Sequence, residues 1–195
     1  MIQGEVNSPQ RHRVTEKGNS GNLKGAVGNN IIKTRFSLCL GVSVVNGFWM
    51  LKIRQKEYDA LRRHGEETYP HECCGVLLGY MDGDVRTVTS VARAGNTRTD
   101  SAHNRYNIDP RDLIRIQREG RERAEDIVGF YHSHPDHPAR WSPTDFAEAH
   151  WYGCSYVITS VEKGNAALTN SFALTGMDEN DKTFIDEAIS VESLS

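Results

Sequence analysis

The stretch VGFYHSHPDHPARWSPTD, residues 128–145, changes structural character twice. Its opening, taken with Asp126 and Ile127, has the branched and aromatic content of a β-strand, so residues 126–135 are expected to be extended. His132 and His134 then stand two apart, and both imidazoles leave the same face. Residues 136–141 form a polar connection. Ser142 and Pro143 suit an N-cap and a first helical position, and Gly153 offers a stop, so a helix is expected over 142–153. Strand, short loop and helix in succession are the units of a layered α/β domain.

The same alternation continues on both sides of this stretch. Upstream, LKIR (51–54) reads as a short strand and QKEYDALRRHGEET (55–68) as a helix ended by Pro70. CGVLLGYM (74–81) is an apolar strand, Asp82-Gly83 a hairpin turn, and VRTVTSVAR (85–93) the returning strand. A polar loop (96–104) and a strand stub (106–108) lead to Asp109-Pro110, which opens a helix running to about Glu125. Downstream, CSYVITSV (154–161) reads as a buried strand, EKGNA as a turn and LTNSFAL as a further strand. KTFIDEAI is compatible with strand or helix. The fold class expected is α/β, a mostly mixed β-sheet flanked by helices.

The 195 residues are 37% hydrophobic and 25% charged, which suits a folded domain with a real core. The formal net charge of −3 gives no footprint for nucleic acid. No run of about 18 apolar residues suggests a membrane span. Charge is uneven along the chain. Residues 1–49 hold six basic residues against Glu5 and Glu16, a net +4 that leaves −7 for the rest. With their Gly, Asn and Ser content, residues 1–49 are expected to be a disordered or dispensable extension. An upstream start of the reading frame would account for them, because MLKIRQKEY from Met50 has the pattern of a domain start. FSLCLGVSVV (36–45) has the apolar character of a signal-peptide core but stands far from Met1. Residues 50–190 are expected to form the domain and 191–195 a tail. Cys39, Cys73, Cys74 and Cys154 make no CxxC pair and no secreted disulfide pattern, so reduced thiols and a cytoplasmic location are expected.

The chemistry concentrates on a few residues. His132 and His134 aim two nitrogens at one point, and Asp145, in the first turn of the next helix, can fold back to join them. Two histidines and one aspartate around Zn²⁺ leave a fourth position for water, the pattern of a catalytic site. Such a site needs a carboxylate to carry the water's proton. Glu72, just ahead of the strand at 74, is placed for that role. Ser142 offers a hydroxyl to a developing oxyanion. Taken singly, each feature has a plainer reading: an ordinary histidine, a helix cap, a solvated strand end. Cys74 is compatible with a fourth ligand or with a small core residue, and Cys73 and Cys154 with core packing. His137 reads as a solvated loop residue and His150 lies off the face of Asp145. Trp141 and Trp151 read as packing residues, Trp141 also as a wall of the substrate channel.

Together, Glu72, His132-Ser133-His134-Pro135, six residues and Ser142-Pro143-Thr144-Asp145 resemble the signature of the JAMM (MPN+) zinc metalloproteases, with every motif position filled. ECCGVLLG (72–79) is similar to the opening segment of its compact prokaryotic members, which include peptidases acting on sulfur-carrier proteins. The resemblance covers about residues 50–190. It implies a cytidine-deaminase-like sheet, one Zn²⁺ on His132, His134 and Asp145, Glu72 as general acid/base and Ser142 as oxyanion support. It also implies cleavage after the C-terminal Gly-Gly of a ubiquitin-like or sulfur-carrier protein, with neither nucleic acid nor membrane as partner. The alternatives are a non-catalytic MPN scaffold and a zinc amidohydrolase acting on a small substrate. HECCG is not HExxH, because position 75 is glycine. The chain has no PCxxC pair as in nucleobase deaminases and no GxSxG elbow.

Overall fold

In the computed structural model the elements follow in the order β1 (Met50–Arg54), α1 (Gln55–Thr68), β2 (Cys74–Asp82), β3 (Val85–Ala94), α2 (Pro110–Glu122), β4 (Asp126–Pro135), α3 (Pro143–Glu148), β5 (Ser155–Glu162), β6 (Asn165–Thr175) and β7 (Thr183–Glu192). The structure describes residues 48–95 and 108–193. The N-terminal extension up to residue 47 with Cys39, the loop 96–104, residues 106 and 107 of the strand stub, and residues 194–195 lie outside the described residues.

The sheet is mixed, with strand order β1-β3-β2-β4-β5-β6-β7. Hairpin neighbours run antiparallel, while β4 and β5 run parallel across the connection that holds α3. The expected mixed sheet with flanking helices is present, and it also closes into a barrel. Closure comes from β7, which changes partner along its length. Thr183–Glu187 pairs with β6, and Ala188–Glu192 pairs in parallel with β1. The strand therefore runs past residue 190, and Val191 and Glu192 lie opposite Ile53 and Arg54. KTFIDEAI is thus strand, because both of its edges find ladder partners.

Side-chain alternation builds a core on each face of the sheet. One includes Leu61 of α1 with Cys73, Leu77, Val128, Tyr131 and Val157. The other includes Ile116 of α2 with Cys74, Leu78, Ile127, Phe130 and Tyr156. Helix α1 buries Glu57, Leu61, His64 and Gly65, one stripe at helical spacing, and packs across the sheet, mainly on β3, β4 and β6. Helix α2 packs on β2, β3 and β4.

A β-bulge in β4 decides which residues face which core. Leu77 pairs with Gly129 and Leu78 with Ile127, leaving Val128 as the extra residue. Val128 and Tyr131 thereby share the α1 side, while Phe130 takes the other. His132 and His134 follow Phe130 by strand alternation, so they face away from α1.

Helix α3 is shorter than the expected 142–153 and ends at Glu148. Lys182 is the reason. Its Nζ donates to the carbonyls of Ala147 and Ala149 at 3.3 and 3.2 Å and lies over the Phe146 ring. The chain then turns back to the sheet, where Gly153 N bonds Leu174 O. Nothing near residue 148 in the sequence announces a lysine arriving from residue 182.

Candidate functional site

The N-terminus of α3 is locked by a capping box. Ser142 Oγ accepts from Asp145 N at 3.1 Å, and Asp145 Oδ2 accepts from Ser142 N at 2.6 Å. The box holds the Asp145 carboxylate rigidly where it meets the end of β4. Its Oδ1 lies 3.5 Å from His132 Nε2 and its Oδ2 3.5 Å from His134 Nε2, while the two Nε2 atoms are 3.0 Å apart. These three residues can hold a metal ion, with donor atoms all within 4.8 Å of one another. The structure thus brings together the three residues expected to act as ligands.

The electrostatics of His132 and Asp145 favour the forms that bind metal, whereas those of His134 favour its protonated form. Burial lowers the pKa of His132 to about 3, so the imidazole is neutral. Burial also pushes His134 down, but Asp145, the Pro138 carbonyl and Glu72 outweigh it and leave His134 above its ordinary value. Burial works against ionisation of Asp145, yet its contacts with His134, His132 and Ser142 hold it well below the usual carboxylate range. His134 Nδ1 is 2.9 Å from Pro138 O, the tautomer that turns Nε2 toward Asp145 and His132. The Pro138 carbonyl is a functional group the sequence gives no sign of, since the contact depends on how the loop turns back.

Glu72 is only 6% exposed, and it lines a cleft of about 340 Å³ with His134, His137, Pro138, Arg140, Trp141 and Ser142. Burial pushes its pKa up to about 8, with Asp145 adding to the rise and His134 opposing it. It comes to this cleft through the β2–β4 register. Cys74 pairs with His132, and continuing outward by two residues sets Glu72 opposite His134. Ser142, capping α3, opens onto the same cleft. Trp141 forms part of its wall, and His137 is an exposed loop residue, as expected, that also lines the cleft.

The other candidates lie elsewhere. Cys73 and Cys74 are buried free thiols that belong to the two opposite cores. Burial raises Cys73 to about 11 and Cys74 to about 12, so neither is a ready thiolate. Cys154 is a core residue beside Tyr156. His150 pairs with Glu179 at 2.8 Å, away from the cleft, and Trp151 packs on Phe130.

The fold and site together define an α/β barrel protein with a His-x-His and aspartate cluster at the end of one strand. The chain belongs to the family of prokaryotic homologs of the JAB domain, whose pattern matches residues 54–174. This agrees with the JAMM resemblance drawn from the motif. The chain is similar to the desampylase of Haloferax volcanii, with 40% identity over 91 residues, 47% of this chain and 63% of that one. The match therefore spans less than two thirds of that relative's length. Two solution structures are also similar. A protein from Desulfitobacterium hafniense is 27% identical with a TM-score of 0.62, covering 74% of this chain and 95% of its own. A protein from Salinibacter ruber is 37% identical with a TM-score of 0.56, covering 72% and 91%.

Proposed function

We propose that this protein is a zinc-dependent metallopeptidase of JAMM type that hydrolyses the amide or isopeptide bond after the C-terminal Gly-Gly of a ubiquitin-like or sulfur-carrier protein. The observation that carries this reading is the convergence of His132, His134 and Asp145, with His134 lining the same cleft as the buried Glu72. Tetrahedral zinc with bonds of 2.0–2.1 Å would space its ligand atoms about 3.3 Å apart. The separations of 3.0, 3.5 and 3.5 Å fit that spacing. Similarity to a desampylase supports a protein conjugate as substrate. A cytidine-deaminase-like origin of the sheet and a cytoplasmic setting complete the reading. The buried free thiols support the second. Among the described residues no helix is long and apolar enough to cross a membrane.

Zinc, when bound, supplies Lewis acidity and acidifies water in its open position. The chain's own residues do the rest. Glu72 takes the proton of the attacking water and returns it to the leaving amine. A largely buried carboxyl in the cleft suits a group that must hold a proton between these two steps. Ser142 Oγ already accepts from Asp145 N, which leaves its hydroxyl hydrogen to donate to the oxyanion. Pro138, His137 and Trp141 line the approach to Glu72.

The test uses the zinc-loaded protein and a ubiquitin-like carrier extended by one residue beyond its Gly-Gly. Cleavage at that bond, abolished by a chelator and restored by zinc, is the expected result. Glu72→Gln should retain zinc and lose about 10²–10⁴-fold in turnover. Full activity in that variant would refute the assignment of Glu72.

A further inference from the structure

Strand β4 presents its ligand histidines on one face and Ser133, between them, on the other. Ser133 is 1% exposed and packs under α1 at Gly65, where a Cβ would lie 3.1 Å from Ser133 Cβ. Its side chain and backbone both bond one residue. Cys73 N donates to Ser133 Oγ at 2.9 Å, and Ser133 N donates to Cys73 O at 3.2 Å. Cys73 directly follows Glu72. The described strand pairing stops one residue earlier, at Cys74 and His132. The serine hydroxyl therefore supplies an acceptor where the chain leaves the sheet. A second tie holds the far end of the segment. Tyr69 Oη donates to Asp136 Oδ2 at 2.8 Å, and Asp136 Oδ1 accepts from Lys163 N at 2.9 Å.

We infer that Ser133 is a positioning residue for Glu72, and that β4 sets the spacing between the base and the metal ligands through its two faces. This rests on the reading of Glu72 as the proton carrier. Residues 132 and 134 aim the metal site, while residue 133 anchors the backbone from which Glu72 projects. Because all three share one strand, the separation of the base from the two ligand histidines is set within the sheet, while Asp145 joins them from α3. A misplacement of about 1 Å at a reacting centre can cost around 100-fold in rate, so such an anchor bears on turnover.

The experiment compares wild type, Ser133→Ala and Ser133→Thr as full-length zinc-loaded proteins on the extended carrier. Ser133→Ala should keep its zinc by elemental analysis and hold KM within about twofold, while kcat falls at least about tenfold. Ser133→Thr, which keeps the hydroxyl, should restore most of kcat. In metal-free protein, hydrogen exchange at the Cys73 amide should be at least about tenfold faster in Ser133→Ala and near wild type in Ser133→Thr. If Ser133→Ala does not fold, Ser133→Cys replaces it, keeping the volume with a weak acceptor. An unchanged kcat, equal loss in the alanine and threonine variants, or an unchanged Cys73 exchange rate would each overturn the inference. A wild-type protein that cleaves nothing would instead overturn the proposed function, and the exchange measurement would still decide whether Ser133 holds the segment.

Discussion

Asp145 does two jobs with one carboxylate. It completes a capping box with Ser142 and faces both histidines. These roles separate by substitution. Asp145→Asn keeps an oxygen that can accept from Ser142 N, so thermal stability should stay within about 1 kcal/mol of wild type. The same change removes the charge, and zinc affinity should fall by more than about 100-fold, measured by competition with a chromogenic chelator. Parallel losses of stability and affinity would show the cap to be the main role. His134→Ala should lose zinc by elemental analysis, because it removes one of the three candidate ligand atoms. These residues were legible in the sequence through residue type and spacing. Pro138 was not, because its carbonyl contributes through backbone geometry.

At the scale of elements, β2 and β4 carry the site, and their close approach depends on Gly75. A Cβ there would lie 2.2 Å from the Tyr131 ring and 2.4 Å from Ala92 O. Gly75→Ala should therefore destabilise the protein by at least about 2 kcal/mol in denaturant unfolding, and it should lower zinc occupancy, since Cys74 pairs with His132. An alanine variant of unchanged midpoint would contradict this packing. The motif reader sees this glycine only as the residue that spoils HExxH, whereas the structure shows it as the slot for Tyr131. The elements were mostly legible from periodicity and turn chemistry. Two were not: α3 ends early because Lys182 captures its carbonyls, and β7 is a strand because β6 and β1 both offer it an edge. The bulge at Val128 also escapes reading, because alternation alone would put residues 128 and 130 on one face.

The whole molecule couples its closed sheet to pH through His64. This histidine of α1 is buried, and its Nδ1 lies 2.9 Å from Tyr131 Oη. Burial, helped by Arg93 and opposed by Glu67, lowers its pKa to about 4. The unfolded chain takes up a proton near pH 6.5, before the folded protein does. The contribution of His64 is therefore complete above about pH 6.5 and is lost as pH falls through 4, on the order of 3 kcal/mol. Thermal melts of wild type and His64→Gln should converge toward pH 4 and diverge toward neutrality. Parallel curves across that range would remove His64 as the source.

Local sequence pattern alone points to the α/β class, the family and the candidate residues of the site. Each of these depends on local pattern: period along an element, turn residues, and the fixed spacing from His132 to Asp145. Assembly of the sheet sets the closure into a barrel, the early end of α3, the bulge that turns His132 and His134 away from α1, and the arrival of Glu72 in the cleft beside His134 from sixty residues upstream. These depend on strand register and on contacts between distant segments, whose free energy arises only when the whole sheet is assembled.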